Sequence, residues 1–227
     1  MITEGYVPDA SEIAFIESIS PVPDAVVLAM EADGAAGDVP IVDRPTGRLL
    51  ATLAHGRRRI VEVGTAIGYS TLWLARGMHP DGVIATIDPD TDRTARARAY
   101  WRRGGVPDAR IVVVNEPALD ALAADRPELR GPFDLAFIDA IKHEYLAYVE
   151  ALVPRLAPGA LLIADNVLYG GLVAGRPGFR EETPSEMLAA AALRGFDVAT
   201  LADPRFVGSI LPMCDGLLVA TYLGELG

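Results

Sequence analysis

An open α/β fold with a mostly parallel sheet is expected from three observations. Between residues 59 and 166, short β-branched runs alternate with longer segments of helical period, the rhythm of βαβ units. A glycine-bearing turn, VEVGTAIGYS, joins one such run to the helix after it. Acidic side chains close several apolar runs: Asp88 after VIATI, Asp139 after FDLAFI and Asp165 after GALLIA. Ligands in open α/β sheets bind outside the carboxyl ends of the strands, so these groups can face one crevice that holds a cofactor and a hard metal ion.

Residues 1–57 lack a strand pattern and repeat apolar positions at helical spacing in IAFIESI and AVVLAMEA. Helices covering the sheet or a partner subunit are expected there. Strands follow near 59–64, 83–88, 110–114, 133–138 and 159–164, each a short apolar run bounded by turn residues. Between them, 67–77, 92–103, 118–125 and 142–156 read as helices. Beyond residue 166 the Gly-rich stretch LYGGLVAGRPG changes the rhythm; an Ala-rich helix is expected near 183–193, and FDVATLA reads as a strand. The closing GSILPMCDGLLVATYL reads as one bent strand or as a hairpin about its central turn. No internal repeat or low-complexity linker interrupts the chain, and one domain over 1–227 is expected.

About half of the 227 residues are apolar, enough for one substantial core. The single cysteine, Cys214, excludes an internal disulfide framework and a zinc–thiolate cluster, and fits a reducing, cytoplasmic setting. No apolar run approaches the roughly 18 residues of a spanning helix, and MITEGYVPDASE lacks the basic start of a signal peptide. A formal charge of −11 disfavours duplex nucleic acid, because an acidic surface repels phosphates. The arginines of TDRTARARAYWRRGG read as the solvent face of a helix, with an RNA-facing patch as the alternative.

At the glycine turn, Gly64 permits a tight bend and close approach of a ligand, while the helix after Gly68 offers free N–H groups. The spacing is not the dinucleotide G-x-G-x-x-G pattern, which argues against a nicotinamide-dependent dehydrogenase. Asp88 ends the next strand, where a carboxylate can accept both hydroxyls of a ribose. Helix–strand packing is the competing explanation for the glycines. Asp139, Asp165 and Asn166 form an oxygen-only donor set suited to Mg²⁺, Mn²⁺ or Ca²⁺. Helix capping is the competing role for Asp139, and a solvated helix position the competing reading of Lys142.

Five segments carry a resemblance, in family order and at family spacing: VEVGTAIGYSTLWLA, VIATIDPD, FDLAFIDAIKHEYLAYVE, PGALLIADNVLYGG and DPRFVGSILPMCDGLLVA. From about Val42 to the C-terminus the chain resembles the cation-dependent class I S-adenosylmethionine O-methyltransferases, which include catechol and caffeoyl-coenzyme A O-methyltransferases and many bacterial relatives. The resemblance implies a Rossmann-like, doubly wound, mostly parallel seven-stranded sheet with helices on both faces. It implies S-adenosylmethionine and Mg²⁺ (or Mn²⁺ or Ca²⁺) as cofactors, with Asp139, Asp165 and Asn166 as metal ligands and Lys142 and Asp139 as catalytic residues. Val42, Glu62, Gly64, Thr65, Ser70, Asp88, Ala118 and Asp139 match cofactor-binding positions, with Val42 over the methionine part, Asp88 at the ribose and Ala118 at the adenine. Two departures stand out: Ile141 replaces the second acid of DADK, and Glu116 replaces the glycine before Pro117. A homodimer is also implied.

The implied reaction is in-line displacement of a sulfonium methyl by a hydroxyl oxygen. A cation chelated by two neighbouring acceptor oxygens lowers the hydroxyl pKa, and Lys142 can take the proton. The expected acceptor is a small catechol-like or other hydroxylated aromatic molecule, with no membrane partner and nucleic acid disfavoured. Residues 168–183 and the N-terminal segment are expected to wall its pocket, with Tyr169, Phe179 and Arg180 in reach of a flat ring. Alternatives are methylation of a tRNA wobble nucleoside and a non-catalytic module that only binds S-adenosylmethionine. Trp73 reads as core, His55 and His79 as surface, His143 as incidental, Asp203, Arg205 and Asp215 as structural, and Cys214 as a buried small hydrophobe.

Overall fold

Parallel strands buried on both faces need helices on both sides, and alternate residues of the central strands feed two separate cores. The computed structural model describes residues 9–37, 39–176 and 182–225. Its strands are β1 (Arg59–Val63), β2 (Val83–Ile87), β3 (Ile111–Val114), β4 (Phe133–Ile138), β5 (Leu156–Ala164), β6 (Phe206–Leu211) and β7 (Leu217–Tyr222). They form one seven-stranded sheet in the order β3-β2-β1-β4-β5-β7-β6. β1 to β5 are parallel, while β7 is antiparallel to both β5 and β6.

The N-terminal helices are α1 (Ala10–Ile19), α2 (Ala25–Ala36) and α3 (Arg44–Leu53). Asp9, Asp24 and Asp43 start them by accepting backbone N–H bonds from the first turn. Together with α4 (Tyr69–Gly77) and α5 (Thr91–Arg103), α2 and α3 cover the sheet face that receives Ile60, Ile84, Leu135, Phe137 and Ile163. α6 (Ala118–Ala123), α7 (Tyr145–Leu152) and α8 (Pro184–Ala202) cover the face that receives Val61, Val63, Ala136, Ile138 and Leu162. Trp73 packs against the first core, as expected. Two polar clusters tie α2 to the body: Glu31 takes Arg44 and the Tyr69 hydroxyl, and Asp33 takes Arg96 and the Tyr100 hydroxyl. One arginine of the basic helix α5 is therefore a tether, while Arg102 pairs with Asp108 at the surface.

Three expectations change. FDVATLA is helical, not a strand: Ala189, Ala190, Leu193, Phe196, Asp197 and Thr200 are the buried residues of α8 and recur at helical intervals. The segment near 142–156 is divided into a 3₁₀ turn at Lys142–Glu144, the helix α7, and a 3₁₀ turn at Val153–Arg155 that contains Pro154. Cys214 is exposed, not buried. The closing segment resolves as the hairpin β6–β7. No helix among the described residues is long and apolar enough to cross a membrane.

Asp197 is 6% exposed on the inner side of α8, and one of its oxygens and the Thr200 hydroxyl have no hydrogen-bond partner among the described residues. Burial pushes its carboxyl up to about 7. A pKa raised above the unfolded value means that the folded state holds the proton more tightly, so stability is present below about pH 4 and lost as pH rises through about 7. Asp197→Asn is expected to raise the melting temperature at pH 8 by about 2–6 °C, the effect of about 1–2 kcal/mol in a chain of this size. At pH 4 the gain should vanish. Calorimetry at the two pH values checks this.

Candidate active site

The sheet ladders continue one residue past the strand ends. The N–H of Gly64 donates to Ile87 (2.9 Å), that of Asp88 to Val114 (3.1 Å), that of Asp139 to Val63 (2.9 Å) and that of Asp165 to Ile138 (3.0 Å). The first residue beyond β1, β2, β4 and β5 therefore lies in one row along the carboxyl edge. Above it opens a cavity of about 870 Å³, within the size range of ligand pockets. Val42, Gly64, Thr65, Ser70, Asp88, Ala118, Asp139, Lys142, Asp165, Asn166 and Tyr169 line it. Phe179 and Arg180 lie outside the described residues.

The glycine turn is shaped by close approach. Gly64 has φ +99°, and a Cβ there would stand 2.0 Å from the Asp139 carbonyl oxygen. Gly68, at φ +78°, takes the Trp101 ring against its Cα, and the indole N–H donates to the Gly68 carbonyl at 2.8 Å. Asp88 closes the turn from the other side, accepting the N–H groups of Ala66 (2.8 Å) and Thr65 (3.2 Å) through one oxygen.

Glu62 does not line the cavity. It is fully buried beneath the turn and accepts the hydroxyls of Ser70 (2.6 Å), Thr71 (2.5 Å) and Thr86 (2.6 Å). Burial pushes its carboxyl up to about 7 against the opposing pull of the three hydroxyls. In this arrangement Glu62 braces the turn from below. Thr86, a polar residue inside the buried run VIATI, was the available sequence signal for such a partner.

At the other end, the Lys142 ammonium donates to Asp139 Oδ1 (2.7 Å), to Asn166 Oδ1 (2.6 Å) and to the Tyr145 hydroxyl (2.8 Å). Tyr145 in turn donates to the Asp165 carbonyl at 3.1 Å. Tyr145 was missed, although it follows Lys142 by one 3₁₀ turn. Asp165 is 4% exposed, and burial, reinforced by the charge of Asp139, pushes its carboxyl up to about 7. The donors meeting here are two carboxylates and an amide oxygen. No group of three or more His, Cys, Asp or Glu side chains able to hold a metal occurs among the described residues.

The loop carrying Asn166 is fixed by the β6–β7 turn. Val167 donates to Gly216 and Leu168 to Asp215 through the backbone, and the Gly170 N–H donates to the Asp215 carboxylate. The Cys214 thiol donates to Asp43, the cap of α3. Asp203 pairs with Arg205 outside the cavity. The non-glycine residues with positive φ among those described are Ala66, Asn166, Tyr169 and Cys214, at 45–58°, all in turns around the cavity. Such backbone gathers at functional sites.

The O-methyltransferase family profile matches residues 41–223. A catechol O-methyltransferase from Mycobacterium tuberculosis is 39% identical over 163 residues, which cover 70% of this chain and 72% of that protein. Another, from Niastella koreensis, is 35% identical over 153 residues, covering 66% and 69%. The O-methyltransferase TomG from Streptomyces achromogenes, solved in complex with SAM, superposes with a TM-score of 0.81 at 28% identity, over 94% of this chain and 96% of that one. The O-methyltransferase from Bacillus cereus, solved in complex with SAH, gives 0.79 at 27%, over 93% and 97%. Strand order, the cavity on the carboxyl edge and these likenesses converge, and the chain belongs to the S-adenosylmethionine-dependent O-methyltransferases of the class I fold.

Proposed function

We propose that the protein methylates a hydroxyl of a small catechol-like or phenolic acceptor, with a divalent cation held by Asp139, Asp165 and Asn166. One observation carries this reading: a positive charge, the Lys142 ammonium, already bridges the oxygens of Asp139 and Asn166 at 2.7 and 2.6 Å. The donor set fits a hard cation, since it is all oxygen and includes a buried carboxylate that a neighbouring charge would keep ionised. When bound, the cation would acidify a chelating hydroxyl.

The chain's own residues supply the remaining work. Val42, Thr65, Asp88 and Ala118 all line the cavity; in this reading Thr65 binds the cofactor, Asp88 takes its ribose, Ala118 its adenine and Val42 its methionine part. Holding donor and acceptor in line lowers the barrier by removing the entropy of their encounter. Lys142 is the only lysine in the chain, against nineteen arginines. Lysine, unlike arginine, is a residue type that serves as a general base when its surroundings favour the neutral amine, and that is the role this reading gives Lys142. The catechol O-methyltransferase relatives support a small aromatic acceptor. The whole chain acts as one domain, in the cytoplasm, and pairs as a homodimer through α1, which buries no residue and exposes Ile13, Phe15, Ile16 and Ile19.

Methyl transfer from S-adenosylmethionine to a panel of catechols, with Mg²⁺ and with chelator, tests the reading. Turnover that needs the metal is expected. Turnover that survives chelation, or activity confined to tRNA, overturns it.

A further inference from the structure

The Lys142 ammonium is coordinated as a small cation would be. Its three protons meet three oxygens, on Asp139, Asn166 and Tyr145. The direction of the third bond is fixed, because Tyr145 spends its only proton on the Asp165 carbonyl and can therefore only accept from Lys142. Tyr145 itself has no freedom to follow the lysine. It is fully buried, with its ring edge-on to Phe196 at 5.5 Å. Lys142, by contrast, sits on a 3₁₀ turn with a flexible stem and a side chain 17% exposed.

Two of these three oxygens belong to residues assigned above to a divalent cation. Each ammonium hydrogen bond draws on the same negative charge that a divalent ion would use, and like charges a few ångströms apart repel in a partly desolvated site. We infer that Lys142 and the metal compete for Asp139 and Asn166, and that Tyr145 is the positioning residue that holds the ammonium in place until the metal arrives. The inference rests on the metal reading of this site. It makes Lys142 a counter-ion to Asp139 that a cation held by the same residues would displace toward the cavity.

The test uses the full-length protein and Mn²⁺ as the probe, with affinity read by electron paramagnetic resonance for wild type, Lys142→Met and Tyr145→Phe. Lys142→Met is expected to bind Mn²⁺ about tenfold or more tightly, because nothing needs displacing. Tyr145→Phe, which changes no charge, is expected to tighten binding about three- to tenfold, the effect of one hydrogen bond lost from the competing state. Labelling lysine with ¹⁵N gives a single side-chain signal, since the chain has one lysine, and Mg²⁺ should shift that signal in wild type. Tyr145→Phe binding no more tightly than wild type overturns the inference, because loss of a nearby positive charge alone would tighten only Lys142→Met. A lysine signal unmoved by saturating Mg²⁺, with Mn²⁺ still bound, also overturns it and leaves the metal site standing. Failure of all three proteins to bind Mn²⁺ removes both.

Discussion

Asp165→Ala is expected to lower turnover at saturating S-adenosylmethionine about 10³-fold or more, while the metal-free protein melts no lower than wild type. The loss follows from the proposed chemistry: polarisation of a bound hydroxyl by a cation contributes several kcal/mol, and each 1.4 kcal/mol or so is a factor of ten in rate. The stability effect has the opposite sign. Burial raises the Asp165 pKa to about 7 in the absence of metal, so the folded state holds its proton more tightly than the unfolded state does. That contribution is present below about pH 4 and disappears as pH climbs through about 7. At pH 8 the wild-type carboxylate is ionised and poorly solvated, and removing it relieves that cost. Adding Mg²⁺ should raise the melting temperature of wild type and leave the variant unmoved. Single-turnover rates and calorimetry with and without Mg²⁺ check both halves; near wild-type turnover would sink the assignment of Asp165.

Gly64→Ala is expected to destabilise the protein by at least about 3 kcal/mol, combining a left-handed backbone penalty of about 1–2 kcal/mol with the cost of overpacking. The added carbon would lie 2.0 Å from a carbonyl oxygen of Asp139, which is backbone and cannot rotate away. Relief requires the carboxyl ends of β1 and β4 to separate, and those ends carry the glycine turn and Asp139. Cofactor affinity should therefore fall together with stability. Gly56→Ala is the internal control: that glycine also has positive φ, at +77°, but a Cβ there meets nothing within 4 Å among the described residues. It should cost about 1–2 kcal/mol and leave binding intact. Denaturant titration and S-adenosylmethionine titration of the two variants separate crowding from backbone conformation, and similar losses in both would refute the close-approach argument.

The parallel strands and the residues at their carboxyl ends were readable because a strand buried on both faces is a short apolar run, and the residue that ends it is placed by the ladder itself. Asp88, Asp139 and Asp165 could be assigned to one edge for that reason. The fate of Glu62 was not readable. A carboxylate two residues before the turn serves the cavity or the floor beneath it depending on strand parity, and Glu62 shares the parity of Ile60, facing α4. FDVATLA misled because its composition suits a strand and Gly195 resembles a stop. Its helical state comes from packing of Phe196 against Tyr145 and the α7 face, contacts made across some fifty residues of chain. Tyr145 was hidden for a similar reason: its hydroxyl meets Asp165 only when β5 lies beside β4.

The clamp that the β6–β7 turn places on the loop after Asn166 sets an order of assembly. During synthesis the five parallel strands emerge first, yet Val167, Leu168 and Gly170 find their acceptors only when residues 215 and 216 have appeared. Until then the segment bearing two of the proposed ligands has no partner for those N–H groups, and β5 is an open edge. Nascent chains arrested before the hairpin thus lack the acceptors that fix the loop after Asn166.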